Sequence, residues 1–159
     1  MGSNGTRLDR RIQKSEHDAY RSSGKVSEPA ACPDCGAVFH RGRWQWASRP
    51  EGAAEHRCPA CNRIDDHYPA GIVTIEGPFF RQHREEVLGL VLNRENAEKM
   101  ERPLHRIMSI VEDGDVLEVS TTDLHLPRCI GVALQRAYDG ELDYHYEAGE
   151  QLLRVHWSR

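Results

Sequence analysis

The chain has 159 residues, 38% of them hydrophobic and 29% charged, with a formal net charge of −4. That length suits one ordinary domain or two small ones, and no apolar run approaches the roughly 18 residues of a membrane-crossing helix. Charge is uneven: residues 1–64 carry 11 Lys and Arg against 7 Asp and Glu, and residues 65–159 carry 10 against 18, so a basic N-terminal end precedes an acidic body.

Residues 1–30 read as a flexible basic tail. Apolar residues are scattered there (Leu8, Ile12, Tyr20, Val26) and cannot bury enough surface to order the segment alone. Arg10, Arg11 and Lys14, with Arg7, Arg21 and Lys25, make it an arm suited to a polyanion; the bland alternative is a solvated tail. Met1 to Asp18 holds no hydrophobic stretch. Without a Sec-type leader and with reduced cysteines, the expected location is the cytoplasm.

Residues 31–70 hold Cys32-Pro33-Asp34-Cys35-Gly36 and, 22 residues later, Cys58-Pro59-Ala60-Cys61. Two intervening residues let one tight turn aim both sulfurs at a single ion. Pro33 and Pro59 pre-set φ at the start of each turn, and Gly36 is free to take positive φ after the second sulfur. Four thiolates close a tetrahedral structural zinc site and leave no position open for catalysis at the metal. Iron in a four-sulfur site is the alternative ion. Disulfides suit a secreted chain, and a thioredoxin-like site needs one such motif at a helix start in a βαβ setting. Between the knuckles, residues 37–40 and 43–46 read as two strands around Arg41-Gly42. Such a unit is too small for a core, so the metal must supply its stability.

Residues 71–159 read as α+β. Ile72–Ile75 is a strand ended by Gly77-Pro78, and a helix runs from Phe79 to about Arg102, with Phe80, Val87, Leu88, Val91 and Met100 on its apolar stripe. Pro103 closes it. Leu104–Val111 and Val116–Thr121 form a hairpin around Glu112-Asp113-Gly114-Asp115. Thr122 or Asp123 caps a second helix, Leu124–Tyr138, with Gly140 as its stop signal. Leu142–Tyr146 and Leu152–Trp157 form a last hairpin. The order β-α-β-β-α-β-β predicts a ferredoxin-like split β-α-β domain with an extra C-terminal strand, two helices covering one face of an antiparallel sheet.

Arg41, Arg43, Trp44, Trp46, Arg49, Arg57 and Arg63 surround the knuckles. Interleaved Arg and Trp can neutralise phosphates and stack on unpaired bases, which makes them the candidate RNA-binding set, with Arg10, Arg11 and Lys14 of the tail. Nine histidines lack any metalloprotease or nucleophile motif. His125, near a helix start, is the best candidate among them, and a capping or surface role is the expected reading. Glu85, Glu86, Glu95, Glu98 and Glu101 are expected on the solvated face of the first helix, and Cys129 as a small core residue. No catalytic residue is assigned, and no enzyme activity is expected.

Cys32-Pro33-x-Cys35-Gly36-Ala37-Val38-Phe39-His40-Arg41-Gly42-Arg43-Trp44, Cys58-Pro59-Ala60-Cys61, Pro69-Ala70-Gly71 and Thr121-Thr122-Asp123-Leu124-His125-Leu126 together resemble an uncharacterised family of small bacterial zinc-ribbon proteins. More distantly, the zinc module is similar to the N-terminal region of the large-ribosomal-subunit export adaptor (nonsense-mediated decay protein three) family. That family carries further zinc-binding cysteines, where this chain has one set of four. The first family brings no settled activity with it; the second binds the large ribosomal subunit, so that resemblance implies ribosome association. A protein–protein adaptor with a purely structural zinc site, its partner on the α+β domain, is the alternative.

Overall fold

The computed structural model describes residues 26–159. Arg10, Arg11 and Lys14 of the expected basic tail lie outside them.

The described residues form two sheets. The first is built from β1 (Ala30–Ala31), β2 (Val38–His40), β3 (Arg43–Gln45) and β4 (Ala54–Glu55), in the order β3-β2-β1-β4. The β2–β3 hairpin is antiparallel, pairing Phe39 with Trp44 and His40 with Arg43, whereas β1 and β4 run parallel. Its turn is tight because Arg41 and Gly42 both adopt positive φ, 53° and 78°. The second knuckle continues into a helix that the sequence reading lacked, α1 (Pro59–Asp66). Cys58 is its N-cap and Pro59 takes the first turn, where a missing N–H costs nothing.

The second sheet contains β5 (Gly71–Glu76), β6 (Ile107–Asp113), β7 (Val116–Thr121), β8 (Glu141–Glu147) and β9 (Leu152–Ser158), in the order β6-β7-β5-β9-β8. Its helices are α2 (Pro78–Gln82), α3 (Arg84–Glu101) and α4 (His125–Tyr138). The one helix expected from Phe79 to Arg102 is therefore broken at His83. Val73 and Ile75 of β5, Leu117 and Val119 of β7, and Leu153, Val155 and Trp157 of β9 form one core with Phe80, Val87, Val91, Leu126, Ile130 and Leu134. Val87 and Val91, and then Leu126, Ile130 and Leu134, recur at one-turn spacing, so each helix turns a stripe onto the same sheet face. Each large side chain fully buried there contributes about 1.5–3 kcal/mol. Met100, expected on the apolar stripe, is instead 77% exposed, because the last turn of α3 runs past the edge of that core.

The sheet is mixed rather than antiparallel throughout. β9 turns back from β8 and inserts beside β5, parallel to it, with Val73 opposite Val155 and Ile75 opposite Trp157. The reason is chemical. Leu152, Leu153, Val155 and Trp157 make β9 the more apolar strand of its hairpin, so it takes the inner slot. β8 carries Glu141, Asp143, His145 and Glu147 and takes the edge, where charge discourages pairing with another chain. No helix among the described residues is long and apolar enough to cross a membrane.

Gly71 opens β5 at the closest approach in this region. A Cβ there would meet Pro127 Cγ at 2.4 Å and Thr121 Oγ1 at 2.8 Å. Gly71→Ala is expected to lower stability in urea by about 1–3 kcal/mol. Gly149→Ala, where a Cβ meets nothing within 4 Å, should stay within about 0.5 kcal/mol of the parent.

Candidate metal centre

Cys32 and Cys35 occupy the turn between β1 and β2. Cys32 N–H donates to the Ala37 carbonyl at 2.8 Å and Gly36 N–H to the Cys32 carbonyl at 3.0 Å. Gly36 takes φ 82°, as its position after the second sulfur requires. Cys58 and Cys61 sit at the start of α1. The four sulfurs lie within 4.8 Å of one another, with Cys35 and Cys58 Sγ 3.8 Å apart. Backbone donors are aimed at them: Cys58 N–H donates to Cys32 Sγ at 3.3 Å and Cys61 N–H to Cys58 Sγ at 3.4 Å. Ala37 and Ala60 complete the buried lining, with Leu104 and Trp44 packed against it. Convergent sulfurs, amide donors and an apolar wall together fit a metal ion held by four thiolates.

The strongest polar contact comes from the other sheet. Arg106, just before β6 and only 8% exposed, extends its guanidinium into the sulfur cluster. It donates to Cys58 Sγ at 3.1 Å, and to Cys35 and Cys61 Sγ at 3.5 Å each. Its Nε donates to the Pro103 carbonyl at 2.8 Å, and its backbone N–H to Thr122 Oγ1 at 3.0 Å. The arginine is thus fixed at both ends. Burial pushes the Cys61 thiol up to about 11 and raises Cys58 further, with Arg106 pulling against it in both. Burial also raises Cys32, but the amide donors of Cys58, Cys35 and Asp34 outweigh it and bring that thiol down to about 7. Burial works against the Arg106 charge, yet the Cys58 and Cys61 sulfurs hold the guanidinium above its ordinary value. Metal binding by these cysteines requires the thiolate form and so releases the thiol protons.

The residues singled out around the knuckles separate into two groups. Arg57 bridges both knuckles, its Nε 2.7 Å from Asp34 and an Nη 3.1 Å from Asp65. Arg63 is 3% exposed and donates to the Tyr68 carbonyl, its guanidinium 5.8 Å over that ring. Trp44 stacks on His56 with centroids 6.1 Å apart. Trp46 Nε1–H donates to the Lys99 carbonyl on α3 at 2.6 Å, while its ring stays 39% exposed. Arg41, Arg43 and Arg49 are exposed. Arg49 donates to the Ala53 carbonyl, and none of the three has an ion-pair partner among the described residues.

His125 and Cys129 fall elsewhere, beside Glu98 and His105. Glu98, expected on the solvated face of its helix, leaves only 11% of its side chain exposed and meets both histidines. A signal for this was present: Glu95 and Glu98 continue the Val87–Val91 stripe at steps of four and three. Nothing in the sequence pointed to Arg106, because a lone arginine before a strand has no local signature.

No family model matches this chain, and neither a curated protein nor a solved structure does.

Replacing Arg106 with Met keeps its volume and removes its charge. The variant is expected to lose about 2 kcal/mol or more in urea unfolding and to release metal faster to a chromogenic chelator. Arg106→Lys should recover part of both, because one ammonium reaches fewer sulfurs than a forked guanidinium.

Proposed function

We propose that this is a zinc-ribbon protein that binds RNA, in association with ribosomes in the cytoplasm, with no catalytic step of its own. In this reading Zn²⁺ occupies the Cys32, Cys35, Cys58 and Cys61 site. The body behind it is a ferredoxin-like plan widened by β9. A closed set of four thiolates serves folding, since it leaves no position for substrate.

The observation that carries the RNA reading is the β2–β3 turn. Arg41 sits in, and Arg43 follows, a tip held by the positive φ of Arg41 and Gly42 and by the Gly42 N–H, which donates to Glu28 Oε1 at 2.8 Å. Both are exposed and without ion-pair partners among the described residues. Arg49 adds a third such cation. A rigid turn that presents unneutralised arginines suits phosphate contacts, which are long-range and tolerant of sequence. Arg57 and Arg63 brace the module and are secondary to the contact. Of the two tryptophans, Trp46 keeps more ring surface for stacking.

A second reading is favoured by a groove of about 430 Å³ beside Trp46, lined also by Asn96, Lys99 and Met100. Met100 is 77% exposed there, and an adaptor would seat a protein segment on it. Nuclease treatment before co-purification separates the two: an adaptor keeps its partner and an RNA binder loses it.

The RNA reading is tested by salt titration of single-stranded ribosomal RNA fragments. The triple variant Arg41→Ala, Arg43→Ala, Arg49→Ala should weaken binding and reduce the slope of log K against log salt by roughly 2, at about 0.7 per phosphate contact. An unchanged slope would falsify the hairpin as the contact. Elemental analysis checks the ion independently, with the zinc of this site expected to be lost, one ion fewer per chain, in a Cys32→Ser, Cys35→Ser double variant.

A further inference from the structure

Five groups with metal-binding chemistry meet at the far side of Arg106, none of them used by the four-cysteine centre. His125 and Cys129 lie one helical turn apart on α4, so both side chains leave the same face. Glu98 approaches from α3, which packs against α4. The ligand atoms of Glu98, His125 and Cys129 all lie within 4.8 Å of one another. Cys129 Sγ is 3.2 Å from His125 Nε2 and 3.7 Å from Glu98 Oε1, and His125 Nε2 is 3.7 Å from Glu98 Oε2. A tetrahedral ion with bonds of about 2.0 Å to nitrogen and oxygen and about 2.3 Å to sulfur requires ligand separations of roughly 3.3–3.6 Å. The three separations each fall within about 0.1 Å of that range, with Cys129 and His125 facing different oxygens of Glu98.

The carboxylate is also oriented. His105, between α3 and β6, places Nδ1 3.2 Å from Glu98 Oε2 and Nε2 3.4 Å from Asp123 Oδ2. Asp123 Oδ2 accepts the backbone N–H of His125 at 2.8 Å and of Leu126 at 3.1 Å. The Asp123–His105–Glu98 chain therefore ties a ligand on one helix to the capped start of the other. Asp123 Oδ1 is buried with no hydrogen-bond partner, which leaves a second acceptor in the support. Carboxylate–histidine chains of this kind surround metal ligands and set their orientation. Meanwhile 45% of the His125 side chain is exposed, which provides an entry path.

We propose that Glu98, His125 and Cys129 form a second metal site, for a divalent ion of the zinc and cobalt class, with His105 and Asp123 as positioning residues. One thiolate, one imidazole and one carboxylate select a borderline ion over hard calcium or magnesium. Three protein ligands leave the fourth position to water or a small anion, in contrast to the closed four-cysteine centre. The proposal is independent of the RNA reading.

The test uses the purified full chain, reduced and dialysed against Co²⁺, with metal counted by elemental analysis. Two ions per chain are expected. Cys129→Ser and His125→Ala should each remove one, and Cys129→Ser should also abolish a thiolate-to-cobalt absorption band that fills after the four-cysteine band. His105→Gln should weaken the second ion about 10–100-fold. Each variant is checked by circular dichroism, with Glu98→Gln replacing any that fails to fold. A metal count left unchanged by all of the folded ligand variants overturns the site. Loss of one ion in them supports it whatever the four-cysteine centre does.

Discussion

The contact between the Arg106 guanidinium and the cysteine sulfurs ties the two halves of this molecule together. Three buried thiols and the half-buried Cys35, set against alanines, form a poor environment for negative charge, and the thiolate state needs cations close by. One is supplied across the junction by a residue of the larger sheet. Leu104 packs against the same cluster, and Trp46 of the small module donates to the Lys99 carbonyl of α3. The small sheet, with strands of two or three residues, has as its buried cluster the cysteines themselves with Ala37 and Ala60. Its geometry depends on the sulfur centre, and the sulfur centre leans on the body.

The same short stretch serves both ligand clusters. Arg106 points to the cysteines and its neighbour His105 to Glu98 and Asp123. Thr122 Oγ1 accepts the Arg106 N–H and donates to the Leu104 carbonyl, fixing this stretch against the end of β7. Gly71 permits the packing by letting β5 run against Pro127 and Thr121. A shift of the segment from Pro103 to Arg106 would therefore move donors at two places at once. Two-ended anchoring of this kind makes a side-chain geometry definite, since neither end can relax alone.

What could be read from the sequence divides along the range of the interaction. The cysteine set, the Gly36 turn, the β2–β3 hairpin and the Asp123 cap depend on residues a few positions apart, and each was legible. The strands of the body and its two longer helices were legible in outline, because period-two and one-turn apolar spacing survive in linear form, whereas the break at His83 had no such signal. The slot taken by β9 was not, as it is a choice between two strands of one hairpin. In hindsight the apolar surplus of Leu152, Leu153, Val155 and Trp157 over the charged run of β8 decides it. Arg106 was illegible for a different reason: the sulfurs it meets lie 45 to 71 residues away along the chain. The run of glutamates on α3 masked the two that turn inward.

Charge distribution places a constraint on the proposed RNA contact. Residues 65–159 carry 18 acidic against 10 basic side chains, so most of the body repels a polyanion. Exposed charges act over a Debye length of about 8 Å at physiological salt. A phosphate backbone can therefore approach only where cations outnumber acids within that range. The arginines of the β2–β3 turn have no ion-pair partner among the described residues, whereas Arg57 shares its charge between Asp34 and Asp65. Repulsion from the body would then orient the RNA as much as attraction to the turn. An acidic surface behind a cationic tip thus favours one docking direction and weakens contact with polyanions elsewhere, which is how electrostatics contributes selectivity without base readout.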